Sequence, residues 1–256
     1  MDGERENMSV YVVKEGDNVD RIAETAGIPV GELLWANQIE YPYRLAVGQS
    51  LLVPEGTAAD REQSRRELYS FGYAYPFISR ETAEQTLPFL TDLYIFSYGF
   101  TEQGTLIPPP SDDTWLIRQA ADAGVDPVMV LTPLGADGRF NNNLVTALMD
   151  DRRLQERLIW ELGRTMTEKG YRGLDVDFEY VYAEDAGAYA AFLGRLTERL
   201  NPLGYPVIAA LAPKIAADQP GTLYEGHDFA AIGAAVNQVL LMTYEWGYTY
   251  GPPMAV

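Results

Sequence analysis

The sequence predicts an α/β protein in which a helix-covered parallel sheet follows a small, separate α+β unit. Three observations indicate this fold class. After residue 68, near-continuous apolar runs of strand length alternate with helical patterns, which is typical of buried parallel strands. Residues 55–67 are polar and charged without an apolar stripe, as expected of a linker. Residues 8–54 carry a strand–helix–helix–strand pattern of their own.

Composition limits the possible functions. The chain has 256 residues, of which 47% are hydrophobic, enough for one large domain and a small one. Its net charge of −18 would repel nucleic-acid phosphates and anionic lipid, so neither is an expected partner. The absence of cysteine excludes disulfides, cysteine zinc sites and thiol catalysis. No cofactor is expected.

No export or membrane signal is visible in the sequence. The first seven residues are charged and lack an apolar core, so they do not resemble a signal peptide. No apolar run approaches the roughly 20 residues needed to cross a bilayer.

The first unit has clear helix boundaries in its sequence. Residues 10–14 form the first predicted strand, and Asp17 is the expected N-cap of a helix over residues 18–26 that ends at Gly27. Pro29 opens a second helix, and residues 50–54 form the closing strand.

The same segment resembles a LysM module. The resemblance is carried by Tyr11-Val-Val-Lys-Glu-Gly-Asp17, Ile22-Ala23, Leu33-Leu34, Asn37 and the run from Leu45 to Pro54. LysM modules bind glycans that contain N-acetylglucosamine, using the loop after the first strand and the loop after the second helix. The resemblance therefore implies a glycan-binding surface made by Gly16, Asp17, Asn18, Gln38, Ile39 and Glu40.

The second unit is expected to begin at residue 68. Its predicted strands cover residues 69–75, 93–98, 127–131, 173–180, 207–212 and 239–246, and its clearest helices cover residues 150–169 and 186–200.

Residues 173–180 carry the strongest chemical signal in the chain. Acidic residues at 175, 177 and 179 alternate with Leu174, Val176 and Phe178, so a strand would place all three carboxyl groups on one face. Like charges on one face repel, which indicates a site that uses them, and the apolar flanks disfavour an exposed strand. A calcium loop is excluded because its sixth and twelfth positions would be Tyr180 and Ala186.

The segment resembles the D-G-x-D-x-D-x-E signature of family 18 glycoside hydrolases, the chitinase-like group. Gly173, Asp175, Asp177 and Glu179 match the signature, and Arg172 departs from it at a position outside the reaction centre. The resemblance implies that Glu179 is the general acid, that Asp177 orients the N-acetyl group of the substrate and that Asp175 belongs to the same catalytic row. It also selects a (β/α)8 barrel, in which catalytic groups lie at the C-terminal ends of strands.

Other strand ends are expected to complete the pocket. Met242-Thr-Tyr244 matches the family's Met-x-Tyr, which implies that Tyr244 hydrogen-bonds the acetamide carbonyl and that Met242 contacts substrate. Glu245 replaces the family's usual Asp, and Trp246 is either a platform for a sugar or a packing residue. His227, the single histidine, is assigned no role. Further expected substrate contacts, for which a core role is an alternative, are Tyr73, Tyr98 and Phe100.

Together the motifs resemble the LysM-bearing branch of spore cortex-lytic N-acetylglucosaminidases. The expected activity is hydrolysis of N-acetylglucosamine bonds in spore peptidoglycan, at the spore or cell wall. A chitinase and a non-catalytic, lectin-like binding protein remain as alternatives. Because six strands are counted and the family barrel has eight, residues 68–256 are expected to be a barrel truncated after the sixth strand.

Overall fold

The computed structural model describes residues 8–54 and 68–243. The chain divides into two compact units with the boundary after Leu68. The predicted linker at 55–67 lies outside the described residues.

The first unit is a two-stranded antiparallel sheet packed on two helices. Its small core contains Ile22, Leu33 and Leu51. Asn37, directly after the second helix, ties that helix to the second strand: its side-chain amide donates to the Leu33 and Leu52 carbonyls and accepts from the Leu52 N–H. The elements are β1 (Met8–Val12), α1 (Val19–Ala26), α2 (Val30–Ala36) and β2 (Ser50–Pro54).

The predicted N-cap of α1 was wrong by one residue. The side chain of Asn18, not Asp17, accepts the hydrogen bond from the Arg21 N–H. Asp17 instead closes the preceding turn, where its Oδ2 accepts from the Lys14 N–H at 2.7 Å and from the Tyr11 hydroxyl at 2.8 Å. The predicted stop at Gly27 is observed, with the left-handed backbone that glycine favours.

The second unit is a curled parallel sheet with helices on its outer face. Within residues 68–243, six parallel strands lie side by side in chain order. The strands are β3 (Phe71–Ala74), β4 (Asp92–Phe100), β6 (Asp126–Leu131), β7 (Gly173–Val176), β8 (Val207–Leu211) and β9 (Gln238–Leu241), and β5 (Leu106–Ile107) pairs antiparallel with β4. The α-helices are α3 (Arg80–Thr86), α4 (Thr114–Asp122), α5 (Asn142–Asp150), α6 (Arg152–Lys169), α7 (Ala186–Leu200) and α8 (Phe229–Ala235).

The sheet curls until its first and last strands approach each other. Tyr69, just before β3, places its hydroxyl 3.3 Å from Oε1 of Gln238 at the start of β9, although these strands are not paired. The architecture is a half-barrel of six parallel strands, which confirms the predicted barrel-type fold class.

The two faces of the sheet have separate cores. The outer face packs on the helices and contains Leu174, Val176 and Phe178. The inner face is lined by a smaller cluster, formed by Tyr94, Val128, Val130, Ile208, Ala210, Leu240 and Met242. The inner cluster fills the concave side below the strand ends, so the open space lies at those ends.

Several element boundaries differ from the predicted ones. β7 ends at Val176 rather than at residue 180, because residues 177–182 leave the ladder. Residues 150–169 are not one uninterrupted helix: α5 ends at Asp150 and α6 begins at Arg152, with Asp151 as its N-cap. None of the helices in the described ranges is both long and apolar enough to span a membrane.

Candidate active site

Strand β7 brings Asp175 to the inner face of the sheet, and the residues directly after it bring Asp177 and Glu179 to the pocket. Asp175 is fully buried and Asp177 is 7% exposed. Glu179 is partly exposed to solvent. The alternating residues Leu174, Val176 and Phe178 lie in the outer core. Burial of these apolar side chains therefore fixes the direction in which the acids point.

Asp177 and Glu179 line a pocket of about 300 Å³ at the C-terminal ends of the strands. This edge is where parallel α/β folds gather functional side chains, because the loops there are free of sheet packing. The remaining lining residues are Tyr73, Ala74, Tyr75, Phe96 and Met242.

Asp175 lies below the pocket and is held by Tyr73. The Tyr73 hydroxyl donates to Oδ2 of Asp175 at 2.7 Å. Burial, and then the charge of Asp177, raise the pKa of Asp175 well above its ordinary value, and the Tyr73 hydrogen bond opposes the rise. Two nearby carboxyl groups in a dry site cannot both ionise cheaply. The protonated form of Asp175 is therefore favoured.

Of the expected substrate contacts, the structure brings Tyr73 and Met242 to the pocket but not Tyr98 and Phe100. The register of β4 shifts between Ile95 and Tyr98, which turns Tyr98 onto the helix side of the sheet. There its hydroxyl donates to the buried Asp113 at 2.7 Å. Phe100 is buried in the same core, where it stacks on Phe178 at 5.8 Å.

Two pocket aromatics were missed by the sequence reasoning. Phe96 follows Tyr94 by two residues on β4, and Tyr75 follows Tyr73 by two, so period-two alternation could have placed both on the inner face. Their rings meet edge to face at 5.1 Å, and Tyr75 also stacks on the exposed Phe77 at 4.9 Å.

The predicted residues Tyr244, Glu245 and Trp246 lie outside the described residues. In the described parts of both units, no group of three His, Asp or Glu side chains is arranged to hold a metal ion.

The expected glycan-binding residues of the first unit lie in two loops. Gly16 and Asn18 are exposed before α1, while the Asp17 carboxylate is engaged in the turn described above. After α2, Gln38 is exposed with a positive φ of 52°. Ile39 is half-buried and packs on the module core. Gly16, Asn18 and Gln38 are thus more accessible than Ile39.

Comparisons with known proteins identify the family. Residues 11–54 match the LysM domain family. The cortical fragment-lytic enzyme of Bacillus subtilis strain 168 is 34% identical to this chain, and the alignment covers 97% of the chain and 68% of that enzyme. The chain belongs to the cortical fragment-lytic enzyme family. The resemblance to LysM-bearing cortex-lytic glycoside hydrolases is thereby confirmed.

Solved structures agree with this assignment. The spore cortex-lytic enzyme SleL of Bacillus cereus superposes with a TM-score of 0.70 at 34% identity, over 96% of this chain and 56% of SleL. A class V chitinase from Pseudomonas fluorescens Pf-5 superposes with a TM-score of 0.65 at 24% identity, over 70% of this chain and 54% of the chitinase. The second likeness concerns the fold alone. This chain spans little more than half the length of either solved structure.

The burial of Asp175 predicts a pH-dependent cost in stability. Because its pKa is raised in the folded state, the folded protein keeps a proton that the unfolded chain releases, so its contribution to stability falls as pH rises above about 3.8. Asp175→Asn removes this effect. The variant should gain about 1.4 kcal/mol in unfolding free energy relative to the wild type for each pH unit between 3.8 and the raised pKa.

Urea unfolding of both proteins across that pH range measures the difference. Asp122→Asn, at an exposed helix position, is the control and should parallel the wild type. A difference between Asp175→Asn and the wild type that does not change with pH would contradict the assigned shift.

Proposed function

We propose that this chain hydrolyses β-1,4 bonds of N-acetylglucosamine in spore cortex peptidoglycan by a substrate-assisted, retaining mechanism. The observation that carries the proposal is the row of three carboxyl groups that begins on β7 and continues into the residues directly after it. Asp175 is fully buried, Asp177 faces the pocket and Glu179 stands at its mouth. The similarity to the cortical fragment-lytic enzyme of Bacillus subtilis supports the substrate class.

Glu179 is the proposed general acid. Glycoside hydrolysis requires a proton donor for the leaving oxygen and a nucleophile for the anomeric carbon. Glu179 borders both the pocket and solvent, so its carboxyl group can give a proton to a departing sugar and recover one from water.

Asp177 is the proposed partner of the substrate's N-acetyl group. In a substrate-assisted reaction the acetamide oxygen attacks the anomeric carbon and positive charge develops on the resulting oxazolinium ring. A carboxylate that faces the pocket in a poorly hydrated site stabilises that charge strongly. The raised pKa of the buried Asp175 favours its protonated form, so Asp175 would add no second negative charge beside Asp177.

Aromatic side chains supply the apolar surface against which the sugar would pack. Tyr73, Tyr75 and Phe96 surround the pocket on the β3 and β4 side, and Met242 closes it from the β9 side. Tyr244 is proposed to hydrogen-bond the acetamide carbonyl, and Trp246 to border the same sugar, as the motif resemblance implies.

The LysM module is proposed to hold the enzyme on its polymer at the spore or cell wall. The match over residues 11–54 supports binding of N-acetylglucosamine-containing glycans through the loops at Gly16–Asn18 and Gln38–Glu40. Tethering raises the local concentration of cleavable bonds without contacting the reaction centre.

Replacing the acid tests the reaction. Glu179→Gln should keep the fold but lower hydrolysis of cortex fragments by a factor of about 10² or more, because the leaving sugar loses its proton donor. Asp177→Asn should also be severe, because the acetamide loses its charged partner. Mass spectrometry of products from cortex fragments and chitin oligomers, run side by side, measures both effects and separates a cortex enzyme from a chitinase.

Glu184→Gln is the matched control, because Glu184 is exposed five residues further along the chain, and it should leave hydrolysis unchanged. Retention of most activity by Glu179→Gln would refute the assignment of the acid. Binding of cortex fragments by the wild type without any cleavage would favour the lectin-like alternative. Rapid cleavage of a de-acetylated substrate would exclude substrate assistance.

Removing the module tests the tether. Deletion of residues 1–54 should weaken binding to insoluble cortex at least tenfold, while turnover of short soluble fragments changes less than about twofold. Co-sedimentation with cortex and hydrolysis of soluble fragments measure the two quantities. Equal losses in both assays would mean that the module forms part of the reaction site.

A further inference from the structure

The segment that carries Glu179 is held by a buried histidine. Asp177 donates its backbone N–H to the Leu131 carbonyl at 2.9 Å, and from Phe178 to Tyr182 the chain lies in neither strand nor helix. His227, which is 1% exposed, places Nε2 2.9 Å from the carbonyl oxygen of Phe178. This carbonyl belongs to the peptide unit that joins Phe178 to Glu179.

His227 is itself fixed from several directions. Its Nδ1 lies 3.1 Å from the Leu223 carbonyl oxygen. The Lys214 ammonium donates to the carbonyl of His227. The imidazole meets the Tyr189 ring edge to face at 5.7 Å, and that ring stacks on Phe178 at 5.8 Å. The ring therefore has little freedom to turn away from Phe178.

The loop before α8 also packs directly on the residues that follow Glu179. A Cβ added to Gly226 would lie 2.0 Å from the carbonyl oxygen of Val181. Only a residue without a side chain allows this approach of two backbones. Gly226 and His227 thus make adjacent contacts to the stretch on either side of Glu179.

The hydrogen-bond donor at Phe178 is best assigned to Nε2–H. A neutral imidazole carries one N–H, and burial lowers the pKa of His227 and so favours the neutral ring. The shorter of the two contacts is the one to Phe178. A buried carbonyl that lost this donor would be left unsatisfied, and its peptide unit would be free to turn.

We propose that His227 is a positioning residue for Glu179: its Nε2–H fixes the Phe178–Glu179 peptide unit and with it the direction in which the acid side chain enters the pocket. This inference rests on the proposed function of Glu179 as the general acid. His227 contacts neither substrate nor the reacting atoms; it acts through the backbone of its neighbour.

Three substitutions at this position separate the hydrogen bond from simple packing. In the His227→Gln variant, the side-chain amide nitrogen can occupy the place of Nε2 and donate to the Phe178 carbonyl. In the His227→Asn variant, the shorter side chain places its amide nitrogen near the position of Nδ1, where it faces the Leu223 carbonyl. Leu fills the space without donating to either carbonyl. His227→Gln should keep kcat within about threefold of the wild type. His227→Asn and His227→Leu should lower kcat about 10- to 100-fold with KM nearly unchanged, the scale expected when a catalytic group is displaced.

Coupling to Glu179 provides the second readout. If His227 acts only through the acid, adding His227→Asn to Glu179→Gln should not reduce the residual hydrolysis of cortex fragments further, because the group it positions is already gone. Thermal unfolding followed by circular dichroism shows that each variant is folded at the assay temperature. If the leucine variant is unfolded, the glutamine and asparagine variants still decide the question.

The proposal is overturned if folded Asn and Gln variants have the same kcat, or if His227→Asn lowers residual activity equally with and without Glu179. A failure of the proposed function is distinguishable, because Glu179→Gln would then retain activity by itself. The positioning role would be established by three results together: a lower kcat in His227→Asn, a kcat near that of the wild type in His227→Gln, and no further loss when His227→Asn is added to Glu179→Gln.

Discussion

The site depends on the cost of burying two neighbouring carboxyl groups on one strand. Asp175 on β7 and Asp177 just after it are both buried, so their repulsion is weakly screened. The Tyr73 hydroxyl, on the first strand of the sheet, donates a hydrogen bond to Asp175. The curl of the sheet brings β3 across to β7, and this places Tyr73 within hydrogen-bond distance of Asp175.

The residues that follow β7 and carry Glu179 need support from outside the sheet. β7 ends at Val176, yet Glu179, the proposed acid, comes three residues later. Phe178 anchors this extension in the outer core, where its ring stacks on Phe100 and Tyr189. The packing of Phe178 and the hydrogen bond from His227 thus hold a short irregular segment beyond the end of the strand.

The fold and the centre of the site were largely predictable from sequence, but the periphery was not. Alternation through residues 173–179 identified the three acids and their common face, because period two is a property of the backbone itself. Tyr98 was expected to contact substrate, but a register shift in β4 turns its side chain to the helix side of the sheet. Such a shift leaves no local sequence signal. His227 was missed because its contacts to Phe178 and Tyr189 join parts of the chain far apart in sequence.

The central claim is that the substrate's acetamide, held by Asp177, serves as the nucleophile while Glu179 gives the proton. The most direct measurement is the anomeric configuration of the first product, followed by proton NMR immediately after the enzyme is added to soluble cortex fragments. Attack by the acetamide and then by water inverts the anomeric carbon twice, so we expect the β-anomer of the new reducing end to appear first and to mutarotate later. Initial appearance of the α-anomer would mean direct attack by water and would contradict it.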